Sequence, residues 1–485
     1  MAEEKTKAPA FEAGEAIYDA TKLGTPRMLI LGLQHMFAMF GATVLVPLIT
    51  GLDVSTTLLF AGLGTLLFHF ITKMKVPAFL GSSFAFLGGY AAITGLADEN
   101  MTQAQLLPYA CFGVACAGLV YLILAAVIRA FGTAKVMKYF PPVVTGPIIV
   151  AIGLGLSGSA VANCQENWLV AFSALVVVIM FNIWGVGMMR IIPIIMGVIV
   201  SYIVAILCHD VDFAPIKEAA WIGSPIHWHS TVFGGVDFGN SSLVITAIVA
   251  IVPIALATMM EHIGDISAIG ATVGKNYIAD PGLHRTLTGD GLATTIASLF
   301  GAPANTTYGE NTGVLALTKV YDPKVIRIAA CFAAVLSFSP KFAAIIHTIP
   351  TATIGGISFV LYGMISAAGL RNMVESHVDF SKSRNLIIAA VILVCALGMT
   401  DGLTFHLGSV AITLSALAVG SIAGILLNAI LPGKDFVFDE SDPHDTGADL
   451  SLENVALEKQ KEYGEKKAKE KAAVKKLKAK PAETE

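Results

Sequence analysis

The sequence predicts an all-α polytopic membrane protein of about fourteen transmembrane segments, arranged as an inverted repeat of about seven plus seven. Three observations predict this fold class. The 485 residues are 55% hydrophobic and only 14% charged. Apolar runs, many of them about 20 residues long, follow one another through residues 27–432. Several short patterns of the first half also recur in the same order in the second half.

The apolar runs are predicted to be helices, because a bilayer leaves no water to satisfy backbone N–H and C=O groups. They lack the strict alternation of outer-membrane barrel strands. The polar first 26 residues contain no apolar stretch with a cleavage site, so we expect no removable signal peptide. The six cysteines show no C-x-x-C or ligand spacing, and His227-Trp228-His229 lacks further ligands. We therefore expect no metal site and no bound cofactor.

Connections rich in Lys and Arg alternate along the chain with neutral or acidic connections. By the positive-inside rule the basic connections face the cytoplasm. This predicts a multi-pass protein of the cytoplasmic (inner) membrane with both termini in the cytoplasm. Lys217 and Lys341 are exceptions to the pattern. The basic side contains Lys73, Lys75, Arg129, Lys135, Lys138, Arg190, Lys275, Arg285, Lys319, Lys324, Arg327, Arg371, Lys382 and Arg384.

Composition divides the chain into three parts. Residues 1–26 are predicted to form a cytoplasmic N-terminus, 27–432 the transmembrane domain and 433–485 a charged cytoplasmic tail. The tail is rich in Lys, Glu and Ala over residues 457–480, which is typical of a solvated segment that buries nothing. A charged helix that binds anionic lipid is the alternative interpretation.

Four pairs of landmarks predict the internal repeat. They occur in the same order in both halves, three of them at nearly equal offsets. A unit with an odd number of spans re-enters the membrane from the opposite face, which gives an inverted repeat. The pairs are Gln34-His35 with Glu261-His262, Gly41-Ala42-Thr43 with Gly270-Ala271-Thr272, Pro77-Ala78 with Pro303-Ala304, and Pro141 and Gly146 with Pro350 and Gly355.

Two segments, around residues 76–97 and 302–320, occupy corresponding places and interrupt the helical pattern. Each has a proline followed by small, polar or aromatic residues and a glycine, a composition that disfavours a continuous helix. We predict a short extended stretch leading into a half-helix in both. Non-helical backbone at membrane depth normally lines a cavity. The N-termini of the half-helices would then present free N–H groups to the middle of the membrane.

Carboxylates inside apolar runs indicate a functional site, because an ionisable group in a span is costly. Glu261 and Asp265 are four residues apart and thus on one helix face, and Glu310 lies in the second interrupted segment. The alternative is that these carboxylates are paired structural charges or lie at the interface with water. For Asp290 a role in anchoring a helix end is equally compatible with the sequence. A lone His in an apolar run is more often hydrogen-bonded structure than a ligand, so His35 is interpreted in this way, and His69 is left without an assigned role.

These groups suit a nucleobase, with uracil the first choice. A carboxylate accepts hydrogen bonds from ring N–H groups, and the backbone N–H groups of Gly309 and Glu310 can donate to a ring oxygen. Phe84 could cover the ring face. A carboxylate in such a site can also bind a proton and couple uptake to the proton gradient.

Three runs of residues resemble the nucleobase–ascorbate transporter family: 34–43, 77–86 and 305–313. The signature Glu310-Asn311-x-Gly313-x-x-x-x-Thr318-Lys319 fits the family pattern, and its leading Glu resembles the uracil permease branch. Urate and xanthine carriers usually have Gln there. Pro281-Gly-Leu-His-Arg285 is also similar to uracil permeases. The resemblance extends from about Leu23 to about Phe438.

The resemblance implies homodimers, proton-coupled uptake and an elevator-like movement between two domains. The core would comprise about 27–131 and 243–348, and the gate about 134–208 and 349–432. Glu261 and Glu310 would hold the pyrimidine, with backbone contacts from Gly309 and Glu310. The remaining site residues implied by the resemblance are Phe84 and Tyr308 for ring contacts, Ala42 as lining, Asn311 as support, and Tyr362 in a stretch that approaches the site.

Asp265 departs from the family pattern, because the best-studied bacterial uracil permease type has a His there that is proposed to take part in proton coupling. Two neighbouring acids can share one proton. Alternatively, Asp265 could help to hold a cation, so sodium is the second candidate for the coupling ion.

Three rival functions remain open. A purine or xanthine permease of the same family is the nearest rival, and Glu310 argues against it. An anion channel or exchanger of similar architecture would need positive residues near the half-helix tips, where this chain has carboxylates. A membrane-embedded enzyme would need a nucleophile–base set, a metal-ligand set or a phosphate-binding loop, and the interrupted segments contain none. Apart from substrate, lipid and a second copy, we expect no partner and no nucleic acid.

Overall fold

A computed structural model describes residues 16–99, 101–399, 402–407, 410–434 and 436. The side chains of Ala134, Glu310 and residues 406–407 and 410–413 are outside this description, as are the first 15 residues and most of the charged tail, including residues 457–480.

The chain is mainly helical, as predicted. The helices are α1 (Thr25–Thr50), α2 (Val54–Ile71), α3 (Leu87–Thr94), α4 (Gln103–Phe131), α5 (Thr133–Met137), α6 (Pro142–Gln165), α7 (Trp168–Trp184), α8 (Met188–Ile191), α9 (Pro193–Leu207), α10 (Ala214–Glu218), α11 (Val232–Gly235), α12 (Ser241–Ile251), α13 (Ile254–Val273), α14 (Leu283–Leu299), α15 (Glu310–Thr318), α16 (Pro323–Leu336), α17 (Pro340–His347), α18 (Thr351–Glu375), α19 (Ser383–Gly398) and α20 (Ala416–Ile430). The strands are β1 (Leu80–Ser82), β2 (Asn305–Thr307), β3 (Leu403–Leu407) and β4 (Val410–Leu414).

The long apolar helices confirm a multi-pass membrane protein. Within the described ranges, six helices are long and apolar enough to cross a membrane, with α12 and α13 together counted as one. Helices α16 and α17 meet at a bend of 88° and would make a seventh span if the pair crosses as one. Four shorter apolar helices (α7, α9, α19 and α20) and the two interrupted segments complete the pattern. The count of fourteen spans stays a prediction.

Tight turns between the helices follow from local chemistry. Gly51 ends α1 in the left-handed conformation, at φ 81°, and its N–H donates to Pro47 O. Two residues later the Asp53 carboxylate caps α2 by accepting a hydrogen bond from Thr56 N–H at 2.6 Å. The connection between α1 and α2 is therefore very short, with only Leu52 between the two caps.

The packing of the helices repeats between the two halves. Helix α4 of the first half packs on α14 of the second half, and the corresponding α16 of the second half packs on α2 of the first half. Likewise α7 packs on α9, and α19 packs on α20. Strands β1 and β2, which occupy corresponding places in the halves, pair antiparallel with Gly81 opposite Thr306. Because equivalent strands run in opposite directions, the two halves are inverted relative to each other, as predicted.

Glycines allow a close approach between the halves where α6 packs against α18. A Cβ built on Gly153 would lie 2.3 Å from Tyr362 O, and one on Gly369 would lie 2.6 Å from Gly146 O. These distances leave no room for a side chain, so the two backbones are nearly in contact. Small residues serve this purpose widely in membrane helix packing.

The two interrupted segments adopt the predicted conformation. Each begins with a proline, Pro77 or Pro303, continues as a three-residue strand and ends in a short helix, α3 or α15. The pairing of β1 with β2 satisfies the backbone groups that the missing helical turns leave free. Hydrogen bonds from Tyr308 N–H to Phe79 O and from Ser83 N–H to Ala304 O extend this pairing.

The hairpin of β3 and β4 differs from the expectation that the apolar runs outside the two interrupted segments are helices. Leu403 pairs with Leu414 and Phe405 with Ile412. The segment is rich in Thr and in β-branched and aromatic residues, which favour strands. The apolar character of this run was visible in the sequence, but its length is divided between a hairpin and a short helix.

Contacts between connections agree with the division of the loops between two faces. On the face rich in basic residues, Lys75 Nζ donates to Asp280 Oδ1 at 2.7 Å. The Lys75 ammonium holds the pKa of the Asp280 carboxyl below its ordinary value. On the other face the long connection of residues 209–240 contacts the helix ends, for example through a hydrogen bond from Gly223 N–H to Phe338 O at 3.0 Å.

Candidate functional site

A small cavity lies where the two interrupted segments meet α13. Its volume is about 10 Å³, about the space of one water molecule. Both segments and one face of α13 supply its walls. It is lined by Ser82, Ser83, Phe84, Glu261, Asp265, Thr306, Thr307, Tyr308 and Gly309. Five of the residues singled out in the sequence (Phe84, Glu261, Asp265, Tyr308 and Gly309) thus lie around one cavity.

A second cavity of about 20 Å³ adjoins the first and shares Phe84 and Glu261 with it. Its opposite wall consists of apolar residues of α6 and α18, among them Ile149, Ile152 and Ile365. Phe84 is buried, whereas Glu261 is partly exposed. Glu261 and Phe84 therefore lie where α13 and the interrupted segments face α6 and α18.

A third, larger cavity of about 620 Å³ reaches this region. It shares Ala85 and Ile152 with the second cavity. Its lining is mostly small or aliphatic, with glycines such as Gly88 on α3 and Gly155 on α6. The larger cavity therefore adjoins the cavity that Phe84 and Glu261 line.

Tyr308 joins the two interrupted segments to α1. Its hydroxyl donates a hydrogen bond to Ser82 O at 2.8 Å, and Thr43 Oγ1 lies 3.3 Å from that hydroxyl. A Cβ on Gly81 would lie 2.5 Å from the Tyr308 ring, so only glycine fits beneath it. The predicted lining residue Ala42 lies behind this group, with its carbonyl 3.4 Å from Ser82 Oγ. Tyr308 therefore holds β1 as well as lining the cavity.

His262, Thr307 and Asp290 form a buried chain of hydrogen bonds beside the cavity. Thr307 Oγ1 donates to Asp290 Oδ1 at 3.0 Å. Because a hydroxyl has only one hydrogen, Thr307 accepts a hydrogen bond from His262 Nδ1, 2.9 Å away. Asp290 lies in the middle of α14 and contacts a side chain of β2, so the structure does not support its role as a helix-end anchor. This chain ties β2 to α13 and α14.

His35 plays a related part on α1, at the position that the repeat matches to His262. Asn311 Nδ2 donates to His35 O at 3.1 Å, and His35 Nδ1 lies 3.3 Å away. Asn311 is buried in the first turn of α15, so this link holds the half-helix against α1. His69 Nε2 lies 2.8 Å from Ala78 O and connects α2 to the segment before β1. The contacts of His35 are consistent with its interpretation as hydrogen-bonded structure, and His69, which was left without an assigned role, also makes a structural contact.

Glu310 is the first residue of α15, and Gly309 precedes it as the N-cap. Gly309 lines the first cavity, so the N-terminus of α15 adjoins that cavity. The Glu310 side chain lies outside the description, and its role stays a prediction. Tyr362 lies in the packing of α18 on α6, where its carbonyl accepts a hydrogen bond from Ser366 Oγ at 3.2 Å.

The sequence interpretation missed the hydroxyl groups of the cavity and the apolar wall opposite Glu261. Ser82, Ser83, Thr306 and Thr307 all line the first cavity. These residues could have been identified in the sequence, since each interrupted segment contains a pair of adjacent hydroxyl residues. The wall of Ile149, Ile152 and Ile365 could not be predicted from the sequence, because such residues are typical of any apolar helix.

Comparison with known proteins places the chain among permeases. A family model described as the permease family (Xan_ur_permease) matches residues 26–405. The chain is 41% identical over 417 residues to a uracil permease of Bacillus caldolyticus, a match that covers 84% of this chain and 92% of the relative. It is 39% identical over 426 residues to a uracil permease of Bacillus subtilis (strain 168), covering 85% and 94%. A uracil permease of Escherichia coli (strain K12) is 37% identical over 429 residues, covering 85% and 94%.

Two solved structures share the fold. The transmembrane domain of the cyanobacterial bicarbonate transporter BicA aligns with a TM-score of 0.55 at 14% identity, covering 84% of this chain and 99% of that one. The overall structure of SLC26A9 aligns with a TM-score of 0.58 at 12% identity, covering 83% and 64%. At these identities the likeness shows the fold alone.

Proposed function

Because the chain belongs to this permease family, the nucleobase–ascorbate transporter family, we propose that it imports uracil across the cytoplasmic membrane together with protons. Family membership makes the chain a transporter rather than an enzyme. The observation that carries the proposal is the place of Glu261: it lines the small cavity beside the N-terminus of α15 and also faces the apolar wall of α6 and α18.

The chemistry around Glu261 supports a neutral heterocycle with both donors and acceptors. Glu261 can accept hydrogen bonds from ring N–H groups, and the backbone N–H groups at the start of α15 can donate to a ring oxygen. Phe84, which lines both small cavities with Glu261, offers an aromatic face. The relatives named as uracil permeases support uracil among such heterocycles.

The pairing of Glu261 with Asp265 supports coupling to protons. Both line the first cavity, one helical turn apart on α13, and Asp265 is buried. Two acids this close can share a proton, so that binding and release of one proton changes the charge of the site. Sodium is the alternative coupling ion, because the same pair of acids could hold a cation.

Access to the site is proposed to alternate through movement of two groups of helices. The core, residues 27–131 and 243–348, carries Glu261 and both interrupted segments. The gate, residues 134–208 and 349–432, carries the wall of α6 and α18. Since the two small cavities are too small for a pyrimidine ring, binding requires the core and the gate to separate at Phe84. This is the elevator-like movement that the family resemblance implies.

We place the 620 Å³ cavity on the extracytoplasmic side. Its lining includes Gly95 and Leu96, which precede an acidic connection, and Thr246 near the start of α12, which follows the long connection of residues 209–240. These connections lie opposite the basic ones, so the positive-inside rule directs the cavity outward and both termini inward. Assembly as a homodimer is part of the same proposal.

The proposal is tested by uptake of labelled uracil into proteoliposomes with an imposed proton gradient. We expect accumulation that follows the gradient and disappears when the gradient is collapsed. Glu261→Gln and Glu310→Gln should each lower the rate at least about tenfold, because an amide cannot carry the proton and has one acceptor oxygen instead of two. Glu218→Gln, on the exposed helix α10, is the matched control and should retain the wild-type rate.

Two results would redirect the proposal. Accumulation that ignores the proton gradient but requires sodium would make a cation the coupling ion and assign Asp265 to its site. Xanthine uptake without uracil uptake would contradict the uracil assignment and favour a purine permease of the same family.

A further inference from the structure

Residues 17–23, which we call the N-terminal clasp, lie across the ends of α13, α15 and α16. The clasp pairs with the connection between α15 and α16 through two backbone hydrogen bonds. Ile17 N–H donates to Lys319 O, and Tyr321 N–H donates to Ile17 O, both at 2.8 Å. Ile17 and Val320 form a parallel bridge at this point.

A second anchor holds the clasp to the start of α16. Ala20 N–H donates to Asp322 Oδ2 at 2.8 Å, and the same carboxylate caps α16 through Lys324 N–H at 2.9 Å. Ala20 is fully buried and packs with Val320 and Val325. The clasp is therefore seated in the protein.

Tyr18 connects the clasp to α13. Its hydroxyl donates to the carbonyl of Val273, the last residue of α13, at 2.8 Å. The ring lies 5.5 Å from the ring of Tyr321, and Lys275 Nζ lies 4.7 Å above the Tyr18 ring. One side chain thus bridges the end of α13 and the connection that follows α15.

Helices α13 and α15 carry the predicted carboxylates. Glu261 and Asp265 lie on α13, and α15 begins with Glu310. A helix transmits a shift at one end to the other, and Glu261 is only about 18 Å from Val273 at 1.5 Å per residue. The near end of α15 is held by Asn311 and His35, whereas its far end stops at Lys319, which has a positive φ of 54°. The clasp anchors that far end of α15.

We infer that the N-terminal clasp is a positioning element of the substrate site, which fixes the separation between α13 and α15 from their far ends. The inference rests on the proposed function, since the separation matters because the substrate is held from both helices. Tyr18 acts through α13 and is a positioning residue that does not itself touch the substrate.

The test compares uracil uptake kinetics of Tyr18→Ala and Tyr18→Phe with wild type. Tyr18→Ala should raise KM about five- to tenfold with a maximal rate within about twofold of wild type, since weaker positioning reduces binding. Tyr18→Phe keeps the ring contacts with Tyr321 and Lys275 and should give an intermediate KM. Tyr139→Ala is the control: Tyr139 is 52% exposed, much like Tyr18 at 48%, and lies outside the clasp.

A second readout does not depend on transport. The distance between α13 and α15 can be measured with nitroxide labels on Ala271→Cys and Leu317→Cys, which are both exposed positions. In this protein the native cysteines that are not buried are first replaced by serine, so that only the two introduced cysteines are labelled. Tyr18→Ala should broaden the distance distribution, and Tyr139→Ala should not.

An unchanged KM and an unchanged distance distribution in Tyr18→Ala, with wild type taking up uracil, would overturn the inference. A lower melting temperature with an unchanged KM would also overturn it, since the clasp would then serve stability alone. A wild-type protein that takes up no uracil would overturn the proposed function, while a broadened distance in Tyr18→Ala would still support the clasp.

Discussion

Thr307 shows how one hydroxyl can organise a site inside a membrane protein. It stands between His262 and Asp290, both fully buried, and its single hydrogen fixes the direction of the whole chain. In a medium without water each of these groups depends on the next for its hydrogen bond. The strand that borders the cavity is therefore held by polar contacts, in contrast to the apolar wall that faces Glu261.

Replacement of Thr307 by Val, which keeps the shape but removes the hydroxyl, should destabilise the protein. It would remove the hydroxyl partner from His262 Nδ1 and Asp290 Oδ1, at a cost of about 1–3 kcal/mol. We expect a lower melting temperature in detergent and slower uptake, whereas Thr307→Ser should remain close to wild type. Thr288→Val is the control, because the Thr288 hydroxyl bonds only within its own helix, to His284 O. Equal behaviour of the Val and Ser variants would contradict the role of the hydroxyl.

The packing of α6 against α18 depends on glycine at the point of contact. Gly153 faces Tyr362 O so closely that any side chain must push the helices apart. These helices also provide Ile149, Ile152 and Ile365, the wall opposite Glu261. A change in the spacing of α6 and α18 would therefore displace this wall relative to Glu261.

Gly153→Ala should lower stability by about 1–3 kcal/mol, as overpacking of a tight contact does. Gly158→Ala is a matched control on the same helix, since a Cβ at Gly158 would meet nothing within 4 Å. The measurement is the melting temperature and the monodisperse fraction in detergent. If both variants behave alike, the close contact of α6 with α18 does not limit stability.

Elements were predictable from the sequence where their cause is local. The proline, the glycine and the small residues after Pro77 and Pro303 predict an interruption wherever the rest of the chain lies, and both interruptions are present. The β3–β4 hairpin was missed because an apolar run that contains Leu403 and Leu414 suits a helix as well as a strand. Among the residues that line the small cavities, Phe84 and Gly309 were predictable from their place in the interrupted segments, and Glu261 from its charge in an apolar run. The bond of His262 to Thr307 was not, because it joins residues 45 positions apart.

The three cavities form a series in which each shares lining residues with the next, and the proposed uptake route between core and gate would follow them. Gly155 lines the large cavity, whereas Gly158, one turn further along α6, is not among its lining residues. Both positions have open space for a side chain. The pair can therefore test whether the large cavity is the entrance.

Gly155→Cys, treated from outside with a bulky impermeant thiol reagent, should lose most of its uracil uptake, because the adduct fills the route. Gly158→Cys treated in the same way should keep its uptake. The measurement is the uptake rate before and after labelling, with the extent of labelling determined by mass. Full labelling of Gly155→Cys without inhibition would mean that uracil enters by another route.

The pairing of β1 with β2 also bears on how the protein is made. Leu80 finds its partner only when Thr307 has been synthesised, 227 residues later. At roughly 5–20 residues per second this takes on the order of 10–45 s. Until then the first half holds a strand with open backbone groups in the middle of the bilayer, where they are costly.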